Sequence, residues 1–145
     1  MITVAIVGLL ATSALPLVEL TVKRTKEEEL KAALREIRTA LDAYKFASDE
    51  GRIDLEVGAS GYPPTLDALV AGVVDARNPE EAEIYFMRRL PRDPFFPDAS
   101  VPAAETWGLR SYASPPDDPQ PGDDVYDVHS LSTGTAINGT AYRDW

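Results

Sequence analysis

The first 18 residues, "MITVAIVGLLATSALPLV", carry no ionisable side chain, and they lead straight into a charged amphipathic segment with no turn between them. Only Thr3, Thr12, Ser13 and Pro16 interrupt the apolar character. As a helix this run would measure roughly 27 Å, close to the ~30 Å hydrocarbon core of a bilayer. Such a surface has to be buried in lipid, inside a domain, or against copies of itself. A secretory signal peptide would use "ATSA" as its cleavage site, but it should carry a basic segment before Ile2, and none is present. A core helix would need a larger surrounding domain than the loop-rich remainder offers. A membrane anchor over residues 1–22 fits best.

The continuation is the stronger clue. Leu30, Leu34, Ile37, Leu41 and Tyr44 recur at alternating spacings of four and three, which lays one apolar stripe along a helix and marks those five residues as candidate core. Glu27 with Lys31 and Arg38 with Asp42 are spaced to pair across its exposed side. Gly51 in "SDEG" should end the helix at about residue 49. Nothing between Val18 and Leu30 breaks a helix, so anchor and stripe form one rod. Pro16 lies within it, removing a backbone donor and clashing one turn back, so a kink or local melting is expected there.

The rest of the chain, with residues 23–145 taken as one globular domain, is rich in turns. Its 11 prolines all follow residue 62. "PTLDAL" predicts a short helix capped by Thr65, with Leu66 and Leu69 facing inward. "NPEEAEIYFMRRLP" predicts a second helix, with Asn78 as cap, Pro79 in the first turn, acids leading and arginines trailing. "TWGLRSYAS" and "DVYDVHSL" read as strands, and "TAINGTAYRDW" reads as a hairpin about Asn138-Gly139. The expected class is therefore α+β: a long N-terminal helix packed on short helices and a small C-terminal antiparallel sheet.

Chemistry is hard to find in this sequence. The chain has no cysteine, so disulfides and thiolate metal sites are excluded, and its single histidine, His129, excludes a histidine pair. Twenty-four acidic residues against 14 basic ones give a net charge of −10, a surface that repels nucleic acid. "GASGYPP" lacks the lysine and following helix of a phosphate cradle. "NGT" matches a glycosylation sequon, but a turn explains it. Asp117, Asp118, Asp123 and Asp124 offer oxygen ligands without a recognised calcium-loop spacing, and a solvated linker explains them as well. No catalytic residue and no cofactor is expected.

The order of features resembles one family. An apolar helix with an internal proline, an amphipathic continuation, "GYPPTLDAL", "RRLPRDPF", "WG" and a final short sheet is similar to the major pseudopilin of the type II secretion system, in the type IV pilin-like superfamily. "YPPTLDAL" resembles that family's Tyr-Pro-Thr segment, and "LPRDPF" its Leu-Pro-x-Asp-Pro-Trp motif. The resemblance covers essentially the whole chain, and the "LPRDP" segment is its more specific part. It implies a non-enzymatic subunit, held in the bacterial inner membrane by a single span with its domain in the periplasm. Such a subunit polymerises into a helical pseudopilus together with minor pseudopilins and an inner-membrane assembly platform. It further implies prepilin processing and N-methylation.

In that reading Leu9, Leu10, Leu15, Pro16 and Val18 build the helical core of the filament. The family's basic leader and Thr-Leu-x-Glu start are not in the sequence, so Met1 is expected to align inside the family's mature helix. Its carboxylate-rich calcium loop is replaced by "SLSTGTAINGTAYRDW", so the family's calcium site is expected to be absent. One further feature runs against the family: Lys23, Arg24 and Lys26 follow the anchor on the side that the positive-inside rule assigns to the cytoplasm. The alternatives are a type IV pilin of a surface fibre, serving adhesion, motility or DNA uptake, and a membrane-tethered periplasmic binding module that never polymerises.

Overall fold

A computed structural model describes the backbone over residues 2–145 and the side chains over residues 16–145. Helix α1 runs Ile2–Asp49 and passes through Pro16 unbroken, so the expected melting there does not occur in the single chain. Its end is set by Gly51. At φ 71° this glycine donates its N–H to Ser48 O at 2.9 Å, while Arg52 N–H reaches back to Ala47 O at 2.9 Å. Those paired bonds satisfy carbonyls the last turn leaves open, in the Schellman arrangement.

Leu30, Leu34, Ile37, Leu41 and Tyr44 are all buried. The elements that cover them arrive from far along the chain. Helix α2, Ala68–Ala71, is a single turn with Leu69 fully buried, and Leu66 is buried just before it; Ala68 N–H donates to Thr65 Oγ1 at 3.3 Å. Strands β3, Trp107–Arg110, and β4, Asp127–Ser130, pair antiparallel with Trp107 opposite Ser130 and Arg110 opposite Asp127. Val128 of β4 joins the buried cluster beneath α1. The architecture is α+β.

Several expectations are corrected. Residues 78–91 do not form a helix. Val73–Val74 (β1) and Glu83–Ile84 (β2) pair antiparallel into a small ribbon. Asn78 Oδ1 accepts from Glu80 N–H at 2.9 Å, and Glu81 adopts φ 54°, so the chain turns back instead of coiling. Just beyond, the N–H groups of Phe86 and Met87 both donate to Leu69 O, seating Phe86 5.1 Å from the Tyr44 ring. Tertiary anchoring overrides a helix-like composition here.

The single sheet is instead two separate two-stranded ribbons. The expected third strand is one bridge, Thr135 with Ala141, followed by a 3-10 turn at Tyr142–Asp144. In its tight turn only Gly139 takes positive φ, at 88°. Gly139 N–H bonds Ala136 O, and Ala136 N–H bonds Thr140 O, which makes a three-residue loop ending in a glycine bulge. The expected surface pairs are also absent: Lys31 lies 3.7 Å from Glu28 and not on Glu27, and Arg38 turns to Asp127 and not to Asp42. Among the described residues no helix is long and apolar enough to cross a membrane. The anchor expected over residues 1–22 lies mostly outside the residues whose side chains are described.

Candidate assembly surface

The helix changes character at Glu27. From Glu27 onward one face lies under the domain. Before it, Leu17, Val18, Leu20 and Val22 are 66, 58, 40 and 51% exposed. Four apolar side chains within six residues, none of them covered, form an unsatisfied surface. Two threonines beside them mute their own polarity: Thr21 Oγ1 donates to Leu17 O at 2.9 Å and Thr25 Oγ1 to Thr21 O at 3.0 Å, while Glu19 stays exposed. Threonine hydroxyls returned to the helix in this way make the face more apolar than its sequence suggests.

Where rod meets domain there is an open groove of about 460 Å³, lined by Val18, Val22 and Lys26 on the helix and by Phe95, Thr135 and Tyr142 opposite. Lys26 Nζ stands 6.0 Å from the Phe95 ring centroid. Tyr142 stacks on Phe95 at 4.1 Å and meets Trp145 edge-on at 5.2 Å.

The groove floor is fixed by Glu27. Its Oε1 accepts from Tyr142 O–H at 2.7 Å and from Ile137 N–H at 2.8 Å, so a buried carboxylate has two donors instead of water. Burial, helped by the bond to Glu27, pushes the Tyr142 phenol well above its ordinary range. Eleven residues further along the helix, Arg38 does the complementary work. Its Nε and Nη2 reach Asp127 at 2.8 and 3.4 Å, and Nη2 also donates to Val128 O and to Trp145 O at 3.2 and 2.7 Å. The C-terminal segment is thus strapped to α1 by one anion and one cation.

Two of the segments that carried the resemblance, "LPRDPF" and "WG", meet in one knot. Asp93, of "LPRDPF", is buried and accepts from Ser130 O–H at 2.5 Å, while its N–H donates to Thr106 Oγ1 at 3.1 Å. Trp107 Nε1 donates to Pro91 O at 2.9 Å. Gly108 follows because a Cβ there would fall 2.1 Å from His129 Nε2 across the ribbon. This knot fixes the ribbon that covers the helix. Within it Asp93, Thr106, Ser130 and the Trp107 indole N–H are all hydrogen-bonded.

Of the residues singled out for assembly, Pro16 and Val18 are exposed on the bare part of α1, whereas Leu9, Leu10 and Leu15 lie outside the residues whose side chains are described. His129 is half-buried in β4; burial first, then Arg143 and Arg38, lowers its pKa, with Asp127 opposing. Asp124 is occupied by Ser60 O–H and by Tyr112 N–H, the latter at 2.8 Å. Among the described residues no three acidic or histidine side chains converge as a metal site would require.

The sequence places Glu27 on the exposed side with Lys31, whereas it is buried, although a signal for this existed. It sits three residues before Leu30, where the stripe's alternation places its next member, so a carboxylate there implies a buried, partnered acid. Asp127 and Trp145 offered no comparable signal, because their pairing with Arg38 spans about ninety to more than a hundred residues of chain. No family model, curated protein or solved structure matches the chain.

Proposed function

We propose that this chain is a non-enzymatic filament subunit of the pseudopilin kind. It is stored in the inner membrane by residues 1–22, with its domain on the periplasmic side, and polymerises through the bare part of α1 into a pseudopilus that supports protein secretion. The observation that carries the reading is the abrupt loss of cover before Glu27, with Leu17, Val18, Leu20 and Val22 exposed and an uncharged run leading up to them. An apolar rod leaving lipid must bury its surface again, and parallel packing of identical rods does so repeatedly; a head-to-tail contact that never closes generates a filament. Minor pseudopilins and the assembly platform belong to the same proposal, as does the absence of a bound metal.

The test uses the natural lack of cysteine. Val18→Cys introduced into the full chain should give linked species in the membrane with a flexible thiol-reactive bis-maleimide, which bridges the offset that a head-to-tail contact leaves between equivalent residues, and electron microscopy should show thin filaments. Leu10→Lys places a charge in the apolar seam, at about 2.5–3.5 kcal/mol on insertion scales, and should abolish both. Normal filaments from that variant would sink the packing idea. Fibres on the cell surface would favour a type IV pilin, and neither filaments nor cross-links would favour a tethered binding module. Calorimetry on the chain checks the metal: a saturable one-to-one calcium signal below about 0.1 mM would overturn that part.

A further inference from the structure

Charge is unevenly distributed along the rod. Residues 1–26 hold three of the 14 basic side chains and one of the 24 acidic ones, so this part stands at +2 and residues 27–145 at −12. The three cations, Lys23, Arg24 and Lys26, sit directly after Val22, the last of the exposed apolar residues. At 1.5 Å and 100° per residue they form a band about 4.5 Å tall over an arc of roughly 160°.

Glu19 and Glu28 have the i,i+4 spacing to neutralise Lys23 and Arg24, yet among the described residues no carboxylate lies within 4.0 Å of any of the three cations. Glu28 is turned to Lys31, and Glu27 is consumed by Tyr142 and Ile137. Among the described residues the band therefore has no carboxylate partner; Lys23 and Lys26 line the groove, with Lys26 over the Phe95 ring, and their long stems can lie along apolar surface while the charged heads reach outward.

We propose that Lys23, Arg24 and Lys26 form a collar that binds anionic phospholipid headgroups on the domain side of the bilayer. The assignment rests on the anchor reading given above. Headgroup phosphates supply the close anionic partners that the neighbouring Glu19, Glu27, Glu28 and Glu29 do not, at the depth where the apolar run ends. The acidic domain contributes the opposite effect: residues 27–145, at −12, are repelled by the same surface. The collar also gives a local reason for cations on a side where the positive-inside rule does not expect them.

The experiment reconstitutes the full chain into phosphatidylcholine vesicles with trace spin-labelled phosphatidylglycerol or phosphatidylcholine, and reads the motionally restricted fraction of each. At low salt phosphatidylglycerol should be preferred several-fold, by up to about fivefold for each cation. The preference should vanish near 1 M salt, where the Debye length is about 3 Å, and in the Lys23→Gln, Arg24→Gln, Lys26→Gln triple variant. It should return with arginine at all three positions, and Lys45→Gln, far along the rod, should leave it unchanged. An unchanged urea midpoint shows that the triple variant is folded.

Equal restriction of both lipids at low salt overturns the collar and leaves the anchor standing. A preference that survives the triple variant overturns the assignment to these residues. A triple variant that alters Val18→Cys cross-linking but not lipid preference shows that the cations face a second copy, which also overturns it. A chain that partitions into neither vesicle overturns collar and anchor together.

Discussion

Helix α1 is one element with two fates. Before Glu27 it carries Leu17, Val18, Leu20 and Val22 in the open; beyond it Leu30, Leu34, Ile37 and Leu41 are sealed. The two stretches are similarly apolar, so helix propensity does not separate them. What separates them is the return of the C-terminal segment, which reaches the rod at Glu27 through Tyr142 and Ile137 and at Arg38 through Asp127 and Trp145. Cover is thus decided by two polar clamps nearly the full chain length away in sequence. The domain end of the rod is finished as a folded core, whereas Leu17, Val18, Leu20 and Val22 toward the other end stay exposed.

The largest expected effect tests that division directly. Leu34→Asp puts an unpaired carboxylate in the core and should destabilise the full chain by about 4 kcal/mol, whereas Leu20→Asp should stay within about 0.5 kcal/mol. Urea unfolding followed through the buried Trp107 measures both. Equal shifts would mean that the two halves do not differ in cover. Leu20→Asp should show its effect elsewhere, in weaker cross-linking of Val18→Cys.

What could be read from sequence follows the range of the interaction. The Schellman end at Gly51, the Thr65 cap and the β3–β4 segments are local or pattern-driven, and the residues announce them. The 78–91 segment misled because its caps and charges are those of a helix, while its fate was set by Leu69 O accepting from Phe86 and Met87 and by Asn78 turning the chain. The β-formers at Val73-Val74 and in "EIYF" were the competing signal. The surface pairs failed for the same reason: a buried partner on the C-terminal segment outbids a solvent-screened neighbour one turn away. The bare face itself was legible as an apolar run. Of the clamp that ends it, Glu27 left a signal in the stripe's spacing, and its partners Tyr142 and Ile137 left none.

Breaking the clamp is the next effect in size. Glu27→Ala leaves the buried Tyr142 hydroxyl without its acceptor and removes the part-buried bond from Ile137 N–H, and about 2 kcal/mol should be lost. Hydrogen exchange should speed up at residues 134–145 while the core around Leu41 keeps its protection. Exchange that rises evenly through the domain would show that the strap is not a separable unit. Gly51→Ala acts at the opposite end of the covered half, where φ 71° disfavours a side chain but the space is open. Roughly 1 kcal/mol is expected from backbone strain alone, with no change in assembly.

The smallest effect is a pH dependence in the ribbon that supplies the cover. His129 lies in β4 against Gly108, half-buried, with Asp127 on its own strand and Arg143 and Arg38 near it from the C-terminal turn and from α1. Burial comes first, and the two arginines add to it, so the folded pKa lies below the ordinary 6.5; Asp127 only partly opposes this. The unfolded chain therefore takes up the proton first as pH falls. Stability from this group is fully present above about pH 6.5 and declines below it, towards the depressed folded value. A cation formed there would also face Arg38, whose grip on Asp127 holds β4 to the helix. His129→Gln should remove the decline. Urea midpoints at pH 7.5 and 5.0 should differ more for the natural chain than for the variant, the carboxylates contributing equally to both. Parallel changes in the two proteins would show that His129 has no part in holding the cover on α1.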